Sequence, residues 1–194
     1  MGGKFDKSFN EGVYNGVKKF TDETGIEVME FEVTNETQSE QAMRRMAELG
    51  ATVVLGVGFA QADAISKVAA EFPDTKFSII DVSWLDAPNL RQYAFKEHEG
   101  SYIVGIAAAK ASKTGKVGFV GGMDIGLIRR FACGYVGGVK SVNASAEVYQ
   151  NMTGTTPAAW NDPAKGAELT QSQIDRGADV VYHAAGGTGA GVIQ

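Results

Sequence analysis

Apolar residues recur along this chain with two alternating periods. Over 6–23, Phe9, Val13, Val17 and Phe20 fall at spacings of three and four, the stripe of an amphipathic helix. Ser8 followed by Glu11 predicts a capping box at its start, and Gly25 a left-handed close at its end. Residues 26–33 read as a strand, 36–49 as a helix and 52–57 as the continuous apolar run of a buried parallel strand. A helix over 61–71 stops before Pro73-Asp74, and strands follow at 77–82 and 89–95. The pattern then predicts an Ala-rich helix over 97–112, a strand at 116–120, a helix at 127–142 and a strand at 146–152. A helix over 163–176, capped by Asp162, and a strand at 179–182 complete it. Such alternation predicts an α/β architecture, with parallel sheets, helices on both faces and ligands at the carboxyl ends of the strands. The polar segment Lys110 to Lys116 is the expected junction of two lobes, 1–112 and 113–194.

Composition narrows the classes further. The chain has 194 residues, a net charge of −5, 44% hydrophobic and 21% charged residues, which fits a globular core and neither disorder nor a fibrous repeat. No cluster of Lys and Arg supplies the basic face that a nucleic acid or an anionic membrane needs. Cys133 is the one cysteine, so no internal disulfide forms; it reads as a packed thiol. No signal-like start and no apolar stretch of about 18 residues occurs. Met1-Gly2-Gly3 leads straight into a helix and Val192-Ile193-Gln194 stops inside another, so both ends are expected to be cut.

Motifs for chemistry are sparse. Gly56-Val57-Gly58 follows a strand and opens a helix, but the third Gly of a dinucleotide loop is missing, and a tight βα turn is the reading. Gly115-Lys116 lacks the Gly five residues earlier that a phosphate loop needs, and no Gly-x-Ser-x-Gly elbow occurs. His98 and His183, the only histidines, have no His or Cys at metal spacing, so no metal, no cofactor and no catalytic residue is expected.

What remains suits the binding of a flat polar molecule. Phe9 and Asn10 stand at a helix N-terminus, where free N–H groups and the helix dipole face a cleft. Asp81 ends an apolar strand at its carboxyl edge, the usual mouth of a site. Trp160 stands just ahead of a helix in the second lobe, so two rings from facing lobes could sandwich a base. Gly186 in Gly186-Gly187-Thr188-Gly189 lets backbone approach a ligand, although a simple turn uses such glycines too. Asp124 reads as a helix cap or hinge group.

The stretches Gly2 to Glu11, Glu97-His98-Glu99-Gly100-Ser101, Lys116 to Asp124, Trp160-Asn161-Asp162-Pro163 and Gly186 to Gly189 closely resemble the basic membrane protein (BMP) family. These are substrate-binding lipoproteins of ABC importers, among them the bacterial purine nucleoside receptor. The resemblance implies a type I periplasmic-binding-protein fold, two Rossmann-like lobes with parallel sheets that close on a purine nucleoside or nucleobase without chemistry. It implies that Phe9 and Trp160 stack on the base, Asn10 and Asp81 hydrogen-bond its edge and Gly186 lies against the sugar. The partner is an ABC permease, and the full-length form is a periplasmic or cell-surface lipoprotein. Family chains are longer, so this one is expected to be truncated at both ends, lacking the signal, the lipidated Cys, the first strand and later ribose-contacting Asp and Lys residues. The alternative is a ligand-sensing domain of a signalling or transcriptional regulator with the same fold.

Overall fold

A computed structural model describes residues 3–35 and 37–194. Helices α1 (Phe9–Thr24), α2 (Thr37–Glu48), α3 (Ala62–Glu71), α4 (Glu97–Ala111), α5 (Gly126–Val142), α6 (Pro163–Asp175) and the short α7 (Gly189–Val192) alternate with strands β1 (Val53–Val57), β2 (Lys76–Ile80), β3 (Leu90–Tyr93), β4 (Lys116–Met123), β5 (Glu147–Gly154) and β6 (Val180–Ala184). The expected helix start at Glu36 lies outside the described residues. Two compact units result, each with its own parallel sheet.

Gly12–Phe95 form one unit. Its sheet runs β1-β2-β3, with Val53 opposite Lys76 and Phe77 opposite Leu90. Alternate residues of β1 and β2 point to one face, where Val54, Phe77 and Ile79 meet Met43 of α2 and Ile65 and Val68 of α3 in a core that excludes water. Gly56 leaves room there for Ile65 and Met43. Gly25 closes α1 as expected, with φ 70° and its N–H on the Thr21 carbonyl at 2.8 Å. The strand expected over 26–33 does not form. Ile26, Val28, Met29 and Phe31 are exposed and the segment makes no ladder with another described segment; a β pattern without a neighbour to hydrogen-bond has nothing to hold it extended.

The described residues up to Glu11 group with Lys96–Gln194 in the other unit. Its sheet runs β5-β4-β6, so the long strand β4 is central, and Val117, Phe119 and Val120 are fully buried. Phe119, Tyr135 of α5 and Tyr182 of β6 form a ring cluster with centroids 5.3–6.1 Å apart. On α6 the buried Gln173 donates from Nε2 to the Phe119 carbonyl at 3.0 Å and to Asn151 Oδ1 at 2.8 Å, and Gly118 makes space for it. Cys133, expected as a packed thiol, is exposed on α5, because the buried face of that helix is the one carrying Ala132, Tyr135 and Val139.

The division between units falls at Phe95 and Lys96, not near residue 112. The reason is the crossing of α4 and α5, which meet backbone to backbone. A Cβ on Gly105 would lie 2.9 Å from the Val139 nitrogen, one on Gly134 would lie 2.7 Å from His98 Cα, and one on Gly138 would lie 2.8 Å from the Tyr102 carbonyl carbon. Glu97, nearly buried at the first turn of α4, is gripped by Arg130 of α5 at 3.0 Å. Helix α4 therefore belongs with the helix it crosses and not with the strands before it.

Candidate functional site

The carboxyl ends of β4, β5 and β6 lie side by side, and the turns after β5 and β6 meet at the end of β4. After β5 the chain turns through a 3₁₀ segment, Pro157–Trp160, and after β6 through another, Gly186–Thr188. The indole of Trp160 lies flat on the end of β4: a Cβ on Gly122 would stand 2.5 Å from Cε3 and 3.0 Å from Cη2 of the ring. Gly122 is thus the seat of the tryptophan, and Trp160 itself is half-buried. Gly186 takes φ 56°, a left-handed turn that glycine adopts freely, and its Cα faces the same residue: a Cβ there would lie 3.5 Å from the Trp160 carbonyl oxygen and 3.6 Å from Cε3.

One buried hydroxyl joins these two turns. Thr188 Oγ1 donates to the Ala159 carbonyl at 2.8 Å and accepts from the Asp162 N–H at 2.7 Å, and Thr188 is fully buried. Thr153 Oγ1 donates to the same Ala159 carbonyl at 2.9 Å. Residues on both sides of Trp160 are therefore tied down. Asp162 then starts α6, accepting from the Lys165 N–H at 2.9 Å with Pro163 at the first helical position, as the sequence predicts.

Phe9 and Asn10, the first residues of α1, belong to the same compact unit as Trp160 and Gly186, so the two rings do not come from facing lobes as the sequence suggested; the described residues up to Glu11 group with the later part of the chain. The N-cap is not Ser8. The carboxylate of Asp6 accepts from the N–H groups of Ser8 at 2.9 Å, Asn10 at 3.1 Å and Glu11 at 3.1 Å, while Glu11 reaches back to the Lys7 N–H at 2.9 Å. A carboxylate two residues before Ser8 reaches more donors than the hydroxyl could, so the box is shifted and the N–H groups expected to be open at this end are engaged. Asp6 also flanks the glycine turn, its Cβ 3.9 Å from where a Cβ on Gly187 would stand.

Asp81 lies in the other unit, immediately after β2 and half-buried. Its φ is 66°, a left-handed conformation that Asp tolerates better than most residues, and its N–H donates to the Tyr93 carbonyl at 2.8 Å. Asp124, after β4, is engaged by Arg129 at 2.7 and 3.0 Å, and the guanidinium holds its carboxyl below the usual range. His183 on β6 is pressed against Gly189, whose Cβ would lie 3.0 Å from the imidazole Nε2; burial lowers its pKa, and its Nδ1 has no hydrogen-bond partner among the described residues. Among the described residues no three His, Cys, Asp or Glu side chains gather as a metal site would require, and no helix is long and apolar enough to cross a membrane.

Sequence reasoning missed Gly122 and Thr188. Both stand inside quoted motifs, but their partners lie far along the chain, Asp162 being 26 residues from Thr188, and no local signal announces them. Within the unit that holds β4, β5 and β6, an ordered indole and a left-handed glycine turn stand together at the strand ends.

The family model described as "ABC transporter substrate-binding protein PnrA-like" (Bmp) matches residues 2–194. A "CD4+ T-cell-stimulating antigen" of Listeria innocua is 36% identical over 98% of this chain and 54% of its own length. An "ABC transporter nucleoside-binding protein BmpA" of Lactococcus lactis subsp. cremoris is 34% identical over 97% of this chain and 54% of its own. The chain thus spans about half the length of the curated relatives it matches. A crystal structure of an ABC transporter solute-binding protein from Aeropyrum pernix K1 matches with TM-score 0.88 and 29% identity, covering 100% of this chain and 55% of that one.

Proposed function

The chain belongs to the Bmp family of PnrA-like ABC transporter substrate-binding proteins, and from that premise we propose that it binds a purine nucleoside or nucleobase for import. The fold is the type I periplasmic-binding fold of solute-binding proteins. In this reading Phe9 and Trp160 stack on the base, Asn10 and Asp81 hydrogen-bond its edge, and Gly186 lies against the sugar. The protein works outside the cytoplasmic membrane as a lipoprotein, delivers its ligand to an ABC permease and performs no chemistry on it.

The observation that carries the reading is the mounting of Trp160. A half-buried indole seated on a glycine is already ordered, so stacking on it avoids the entropy loss of fixing a mobile ring on binding. Stacking on such a face contributes about 0.5–1.5 kcal/mol per aromatic pair. The relative named as nucleoside-binding points to the same ligand class.

The test is calorimetric titration of adenine, adenosine, guanosine and inosine into the protein. Binding at micromolar affinity, about −8 kcal/mol, with the ligand recovered intact, is expected. The Phe9→Ala, Trp160→Ala double variant should lose it. Heat from none of the four purines, full affinity in the double variant, or release of free base from a nucleoside would overturn the proposal.

A further inference from the structure

We propose that Thr188 is the positioning residue of this site, acting through its hydroxyl to fix the backbone that presents Trp160; as a statement about ligand affinity, this rests on the purine-binding reading. The tryptophan stands on a 3₁₀ turn, a short element with little internal hydrogen bonding to hold it. Its orientation must come from outside. The residue before it, Ala159, offers its carbonyl to Thr188 Oγ1 at 2.8 Å, and Asp162, two residues after it, gives its N–H to the same oxygen at 2.7 Å. A single hydroxyl, acting as donor to one side and acceptor from the other, therefore closes a clamp around Trp160.

Three features make the clamp stiff. Thr188 is fully buried, so water does not compete for its hydroxyl. Its own backbone is fixed against α6, where a Cβ on Gly166 would come 3.2 Å from Thr188 Cγ2 and closer still to the Thr188 carbonyl. The indole meanwhile rests on Gly122, so a shift of the turn forces the ring along the end of β4 and not simply outward. Thr188 also sits directly beside the Gly186–Gly187 turn, so one buried group sets both the aromatic wall and the glycine turn facing it.

The experiment uses Trp84→Phe protein, in which Trp160 is the sole tryptophan. Trp84 is 63% exposed and lies in the other unit from Thr188 and Trp160, so its loss leaves the clamp intact, and the Trp84→Phe parent is the reference for every purine affinity. Acrylamide quenching of Trp160 and purine affinity are read for Thr188→Val and Thr188→Ser, with Val68→Ala as a variant in the core of the other unit. Thr188→Val keeps the shape and deletes both hydrogen bonds. It is expected to raise the quenching constant about twofold and weaken purine binding about tenfold, the size of one net hydrogen bond. Thr188→Ser should restore both, and Val68→Ala should move neither, although it lowers stability.

Unchanged quenching in Thr188→Val, or a Thr188→Ser variant as impaired as the valine, overturns the proposal. Should the valine protein not fold, Thr188→Cys, with a weakly bonding thiol, must show the same direction of change. Because quenching is read without ligand, the outcomes separate. A parent that binds no purine refutes the functional reading, while the clamp stands or falls on the fluorescence alone.

Discussion

Replacing Gly138 by Ala should separate two helices that now touch. The added methyl would stand 2.8 Å from the Tyr102 carbonyl carbon and 3.0 Å from the Ile106 nitrogen, closer still to the Tyr102 oxygen. Carbon contacts rest at about 3.5 Å, so α4 and α5 must part by at least roughly 0.7 Å along that line. The obstacle is backbone on a second helix, which cannot rotate away. Overpacking of a core costs about 1–3 kcal/mol, and this position belongs at the upper end. Ala gains about 1 kcal/mol over Gly in a helix, so the net destabilisation is about 2 kcal/mol. Urea unfolding followed by Trp160 fluorescence in the Trp84→Phe background reports on the unit that holds this crossing. With a urea slope of about 1–3 kcal/mol per molar, the midpoint should fall by roughly 1 M. Gly137→Ala is the matched control: one residue away on the same helix, its methyl would meet only the Tyr102 ring at an ordinary 3.4 Å. Its midpoint should hold or rise slightly. A Gly138→Ala midpoint equal to or above that of Gly137→Ala would refute the backbone crossing.

Removing the Asp6 carboxylate as Asp6→Ala takes the acceptor from three N–H groups and should cost about 1–2 kcal/mol; hydrogen exchange should show protection lost at Asn10 and Glu11, and unchanged protection there would contradict the cap. Stability should fall as pH drops below about 6.5, because burial lowers the folded pKa of His183 and the unfolded chain then binds the extra proton. That loss levels off below the folded pKa. Thermal melts between pH 5 and 8 should show the slope in the parent and a flatter one in His183→Gln, and equal slopes would remove His183 from the account.

The alternation of strands and helices was legible in sequence because each period depends on neighbours three, four or two residues apart. Helices α5 and α6 begin within a residue of where the pattern places them. The segment 26–33 shows the limit of that logic, since its residues suit a strand but a strand exists only beside another. Ser8 gave way to Asp6 for a local reason, the greater reach of a carboxylate. The unit boundary was misjudged because Gly105, Gly134 and Gly138 look like weak helix positions in sequence and act as a contact surface only once a second helix lies on them. That Trp160 and Gly186 stand on turns after strands could be read from residue type and place in the chain. The contacts of Gly122 and Thr188 could not, as they are made with groups that folding brings from elsewhere.

Strand β4 is central, and the strand on its far side, β6, begins at Val180. A ribosome making this chain from its N-terminus therefore releases Trp160 well before the residue that clamps it. During that interval the nascent polypeptide carries its aromatic side chain on a turn that lacks both Thr188 hydrogen bonds, and it has no third strand to complete the sheet. The link between the two turns comes into being only when synthesis passes Thr188. A chain stopped short of that point can hold its tryptophan, its glycine seat and much of its core, yet lacks the hydroxyl that ties one turn to the other.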